Sequence, residues 1–97
     1  MTKLLPQETI DENMLILNGW IQENNDIGQI TKEYEFENFE KAINFINKVA
    51  KISIQQNQHP DILLHSKKNI ELMITNYEYE GITQECLDLA FAIDGIE

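Results

Sequence analysis

Arginine is absent from this chain; every basic residue is a lysine. No guanidinium is therefore present to fork onto a phosphate or a guanine edge. The formal net charge is -10, from 17 Asp and Glu against 7 Lys. Such a surface repels a nucleic-acid backbone, so direct nucleic-acid binding is not expected and a macromolecular partner would be a protein. Cysteine is almost absent. The lone Cys86 cannot close an internal disulfide, which points to a cytoplasmic protein. No apolar run approaches the ~20 residues that span a bilayer. The stretch Met1-Thr2-Lys3-Leu4-Leu5-Pro6 lacks the apolar core of a secretory signal, so no membrane association is expected. There is no internal repeat, no linker rich in glycine or serine, and no glycine-rich phosphate loop.

What remains is a chain of 97 residues with 42% hydrophobic content. That reads as one globular domain over residues 1–97. Its core is thin, and assembly into a homodimer or homotetramer is a natural way to bury more apolar surface.

The local patterns give seven elements. Residues 7–17 read as a helix with Ile10, Met14, Leu15 and Leu17 on its apolar side. Thr9-Ile10-Asp11-Glu12 is expected as its capping box, and Asn18-Gly19 as its stop. Trp20 to Glu23 reads as a strand, with a turn at Asn24-Asn25-Asp26. Residues 29–37 alternate, with Ile30, Tyr34 and Phe36 on one face and Thr31, Glu33, Glu35 and Glu37 on the other. Lys32 interrupts the apolar face, where its stem can lie flat. Asn38 is the expected N-cap of a long helix from Phe39 to about Gln56. Phe39, Ala42, Ile43, Ile46, Val49, Ala50 and Ser53 form its expected packing stripe. Phe45 and Ile52 lie off that stripe; they either widen the buried face or meet another subunit.

Ile62 to Leu64 reads as a third strand and Ile70 to Ile74 as a fourth, joined by a turn at residues 66–69. Thr83 is expected to cap a last helix packed through Leu87, Ala90, Phe91 and Ile93, with Glu85 near its positive end. The order α-β-β-α-β-β-α predicts an α+β fold, with a four-stranded antiparallel sheet and three helices on one face. The other face would be wetter, and the edge strands invite pairing.

The corner between long helix and third strand reads Asn57-Gln58-His59-Pro60-Asp61. A histidine before proline is held in extended geometry, which either closes the corner or presents an imidazole at a site. Taken with Gly19-Trp20, Phe36-Glu37-Asn38-Phe39, Gly81-Ile82-Thr83 and Leu89-Ala90, it resembles the pterin-4a-carbinolamine dehydratase family over nearly the whole chain. The resemblance implies a small-molecule site at the corner and the end of the fourth strand, built from Gln58, His59, Pro60, Thr75, Asn76 and Tyr77. It implies catalysis by His59, no cofactor or metal, a pterin-like substrate and an oligomeric protein. Relatives are also known as dimerisation partners of a transcription factor and as assembly factors for the carbon-fixing carboxylase.

Departures from the family pattern fall on the chemistry. The first histidine of its His-His-Pro run is Gln58 here, and the acidic residue four positions earlier is Ile54. Ser66 stands where an aromatic residue is usual. The Thr-His pair is Thr75-Asn76, and an aspartate of the last helix is Cys86. The loop Tyr77-Glu78-Tyr79-Glu80 is one residue longer than usual. The family's reaction removes water from a 4a-hydroxytetrahydropterin, which requires a proton on the leaving hydroxyl and loss of one from a ring nitrogen. Histidine suits both steps near neutral pH. A carboxamide exchanges no proton there. The expectation is a dehydratase with weak or no activity, or else a non-catalytic scaffold on the same fold. His65, Tyr77, Glu78 and Glu80 are the candidates to replace the missing groups.

Overall fold

The computed structural model describes residues 3–96. Its elements are α1 (Gln7–Met14), β1 (Ile21–Asn24), β2 (Gly28–Glu35), α2 (Phe39–Gln56), β3 (Asp61–His65), β4 (Asn69–Ile74) and α3 (Gln84–Asp94). The strands form one antiparallel sheet in the order β1-β2-β4-β3, so β1 and β3 are its edges.

Alternation sets the inner face. Ile70, Leu72 and Ile74 of β4 are fully buried, and Ile30 of β2 lies opposite Ile74. All three helices add to this one core, through Ile10, through Ala42, Phe45 and Val49, and through Leu87, Leu89, Ala90 and Ile93. The expected α+β architecture is what the chain adopts.

Local details depart from expectation in instructive ways. α1 is capped by Pro6, whose φ of -61° is fixed by its ring and whose ψ of 147° is extended, and Thr9 lies inside the helix instead of starting a capping box. Regular α1 ends at Met14, and the chain continues in turns to Gly19. Gly19 has a φ of +83°, a left-handed turn that side chains resist, and an added Cβ would meet Lys32 Cε at 3.1 Å.

Asn38 caps α2 as expected, its Oδ1 accepting from the Lys41 amide at 2.9 Å. The packing stripe is rotated from the expected one: Phe39 is 52% exposed, whereas Phe45 is 8% exposed. The cause lies at the end of β2, because Phe45 packs against the rings of Tyr34 and of Phe36 just beyond the strand. Phe45 thus widens the buried face. Thr31, placed on the wet face by alternation, is 4% exposed, and its hydroxyl donates to Glu23 Oε1.

Lys32 lies against Trp20 and Tyr34, its Nζ 5.9 Å and 5.1 Å from their ring centroids. Its ammonium meets Asp94 Oδ1 at 3.2 Å, and the Trp20 indole N–H donates to the same oxygen at 2.8 Å. Asp94 closes α3, where a carboxylate opposes the helix dipole; these two donors offset that cost. Burial, then the Asp94 charge, push the Tyr34 phenol well above its ordinary range.

Candidate functional site

α2 stops because Asn57 takes the left-handed conformation, with φ 52° and ψ 40°. Its amide and that of Gln58 close the last turn onto the carbonyls of Ile54 and Ser53. This turn sends the Gln58 side chain inward, while His59 stays exposed. Gln58 Nε2 lies 3.3 Å from the Thr75 carbonyl oxygen, to which it donates, and 3.9 Å from Cys86 Sγ.

Thr75 follows β4 directly. It is buried, and its hydroxyl donates to the Gly28 carbonyl at 2.6 Å. Cys86 is fully buried in the first turn of α3, with Thr83 Oγ1 3.4 Å from its sulfur. Burial is the main reason the Cys86 thiol is pushed up, so it stays neutral at physiological pH. The positions where the family pattern carries a histidine and an aspartate thus meet here as Gln58 and Cys86, an uncharged pair. Thr83 occupies the N-cap position of α3, but its hydroxyl faces Cys86 and makes no side-chain bond to the helix amides.

Asn76 has a local structural task. Its backbone pairs with Gly81, with N–O distances of 2.8 Å and 3.2 Å, and its Oδ1 accepts from the Tyr79 amide at 2.8 Å. These bonds close the Tyr77–Glu80 loop into a compact turn. An added Cβ at Gly81 would come within 2.7 Å of Leu4 Cδ2, so glycine permits the close approach of the N-terminal segment. Tyr77 reaches back across the corner, its hydroxyl donating to Asp61 Oδ2. That bond is the main reason its phenol is raised above the ordinary value.

The structure brings Gln58 and Thr75 into contact, and ties Tyr77 to the residue that follows His59-Pro60. Among the described residues no hydrogen bond or ion pair engages the His59 ring. Of the candidate replacements, Tyr77 is tied to Asp61, and His65 lies elsewhere. His65 and Asp61 are opposite ends of β3, roughly 13 Å apart at ~3.3 Å per residue. The His65 ring meets Ser66 Oγ at 3.2 Å, in the turn where Ser66 and Lys67 both have positive φ. Glu78 and Glu80 are exposed in the loop that Asn76 closes. Ile54 is 70% exposed near the end of α2. No group of three or more His, Cys, Asp or Glu among the described residues is placed to hold a metal ion. Sequence reasoning missed Asp61 as the anchor of Tyr77 and Cys86 as the neighbour of Gln58. The second pair is 28 residues apart, and nothing local signals it.

The family model described as "Pterin 4 alpha carbinolamine dehydratase" matches residues 3–96. A Sulfurisphaera tokodaii protein described as "Putative pterin-4-alpha-carbinolamine dehydratase" is 35% identical over 92 residues, covering 95% of each chain. A Nostoc punctiforme protein with the same description is 33% identical over 97 residues, covering 100% of each. The chain belongs to the pterin 4 alpha carbinolamine dehydratase family.

Solved structures agree on the fold. A transcriptional coactivator/pterin dehydratase from Brucella melitensis superposes with a TM-score of 0.87 at 18% identity, covering 95% of this chain and 96% of that one. A pterin dehydratase-like protein identified as a RuBisCO assembly factor in the alpha-carboxysome gives 0.59 at 17% identity, covering 82% and 94%.

Proposed function

We propose that this protein keeps the family's pterin-binding corner but dehydrates a 4a-hydroxytetrahydropterin slowly or not at all. The observation that carries this reading is the Gln58–Cys86 contact, where two uncharged groups stand in place of a histidine and an aspartate. Asn76, at the other histidine position, spends its carbonyl on the Tyr79 amide. His59 is the one imidazole left at the corner and is the candidate acid or base. Gln58, Pro60, Thr75, Asn76 and Tyr77 would hold the ring. Each missing acid or base typically contributes roughly 10²- to 10⁴-fold in rate. The experiment is a steady-state dehydratase assay of the wild-type protein, paired with calorimetric titration of a reduced pterin. We expect binding with turnover several orders of magnitude below an intact family member. Turnover comparable to such a member contradicts the reading.

A second reading is a non-catalytic oligomeric scaffold or assembly factor in the cytoplasm. It is favoured by an intact core beside apolar surface on both sheet edges. Ile21 of β1 is 62% exposed, and Ile62 and Leu63 of β3 are 36% and 47% exposed. A homodimer or homotetramer would cover such edges. Light scattering at a series of concentrations tests this, and a monomer throughout argues against it. Among the described residues no helix is long and apolar enough to cross a membrane.

A further inference from the structure

Alternation along β2 and β4 puts Ile30, Ile70, Leu72 and Ile74 on the core side of the sheet. Their neighbours Thr31, Glu33, Glu35, Glu71 and Met73 therefore lie on the face turned away from the helices. Register places Glu33 directly opposite Glu71, and Leu63 of β3 opposite Glu71 on its other side. Like charges at one cross-strand pair destabilise a sheet. Among the described residues neither carboxylate makes a hydrogen bond or ion pair. A hollow of about 320 Å³ joins the two to Glu23 and Ile21 of β1. Glu23 accepts from the neutral Thr31 hydroxyl, which leaves its charge in place. Lys32, also at the hollow, is paired with Asp94. Apolar groups stand among these charges. Ile21 is 62% exposed and Leu63 47%, and Met73 is half-buried.

We propose that this open face docks a basic amphipathic helix of a protein partner. Lysine or arginine side chains of that helix would lie among Glu23, Glu33 and Glu71, and its apolar side chains on Ile21, Leu63 and Met73. The dimensions agree. From β1 to β3 is roughly 14 Å at ~4.8 Å per strand, and β2 runs roughly 26 Å at ~3.3 Å per residue, which is room for one helix ~10–12 Å across. A second copy of this chain would press carboxylate against carboxylate, with a net charge of -10 on each. A partner's cation between Glu33 and Glu71 turns their mutual repulsion into a shared attraction, which is the charge complementarity that selects this occupant. The Gln58–Cys86 contact lies on the helix side, with Cys86 in the core, so this face is separate from the pterin corner.

The test titrates the isotope-labelled full chain with a synthetic peptide of roughly 18 residues, ~27 Å as a helix, bearing one leucine face and one lysine face. Backbone amide shifts are followed. Saturable shifts are expected at Thr31, Glu33, Leu63, Glu71 and Met73, while those of Val49 and Ala90 in the core stay in place. The double change Glu33→Gln and Glu71→Gln should weaken binding roughly tenfold. It should also raise the melting temperature, because the cross-strand repulsion is gone. Glu8→Gln with Glu12→Gln removes two exposed charges of α1 and should leave binding within about twofold. Equal losses from the two variants would overturn the proposal, since the peptide would then read net charge alone. So would equal shifts with spermine, which carries the charge without the apolar side, shifts centred on the helices, or no saturable response. Shifts on this face that grow with protein concentration while the peptide gives none would make a second copy the occupant, and would overturn it as well.

Discussion

The sheet centre and the helix-strand corner bury side chains by opposite means. At the centre, Ile30, Ile70, Leu72 and Ile74 are wholly enclosed and aliphatic. At the corner, Gln58, Thr75, Asn76, Thr83 and Cys86 are polar or polarisable, and each is held by a named neighbour. Burial of apolar area stabilises the first region without regard to direction. The second depends on hydrogen-bond geometry, and a buried polar group without a partner costs about 1–3 kcal/mol. The contrast separates scaffold from chemistry. A corner built from carboxamide, hydroxyl and thiol satisfies itself internally, so on the function proposed above the fold would survive loss of the proton-transfer groups.

Perturbing both regions alike tests the contrast, with the largest effect first. Leu72→Ala removes a fully buried leucine from the central strand and should cost about 2–5 kcal/mol in denaturant unfolding. Gln58→His, which keeps a donor at the corner, should cost no more than about 1.5 kcal/mol. Equal losses would break the division. Asp94→Ala leaves the Trp20 N–H and the Lys32 ammonium without their shared acceptor and should cost about 1–3 kcal/mol. A shifted tryptophan emission would accompany that loss. Asn38→Ala deletes the α2 cap and should cost ~1 kcal/mol, read as a lower melting temperature.

The smallest effect is a pH dependence. The Tyr77 phenol donates to Asp61, so its folded pKa lies above the ordinary, unfolded value. Its contribution to loop closure is fully present below that unfolded value and is lost as pH rises through the raised folded one. Alkaline absorbance titration of Tyr77→Phe should lose one late-titrating phenol relative to wild type, and loop proteolysis should accelerate.

Strongly periodic or capped segments were legible in the sequence. The alternation of Ile70, Leu72 and Ile74 places β4, and Asn38 marks the start of α2 as observed. Failures arose where distant contacts decide the outcome. The rings of Tyr34 in β2 and of Phe36 just after it rotate the packing stripe of α2 from Phe39 toward Phe45, and Pro6 displaces Thr9 as the start of α1. At the site, the residue types at positions 58, 76 and 86 were visible in the chain. The contact between Gln58 and Cys86 was not, because α3 returns to the corner only after the sheet is complete. His65 shares a strand with the corner, but strand length carries it to the far end.

The most direct test of the central claim is dehydratase turnover of the double variant Gln58→His and Asn76→His against wild type at equal folded concentration. Restored imidazoles on an unaltered scaffold should raise turnover by roughly 10²-fold or more. A wild-type rate already as high as the variant's would contradict the claim, because the corner would then be moving protons without them.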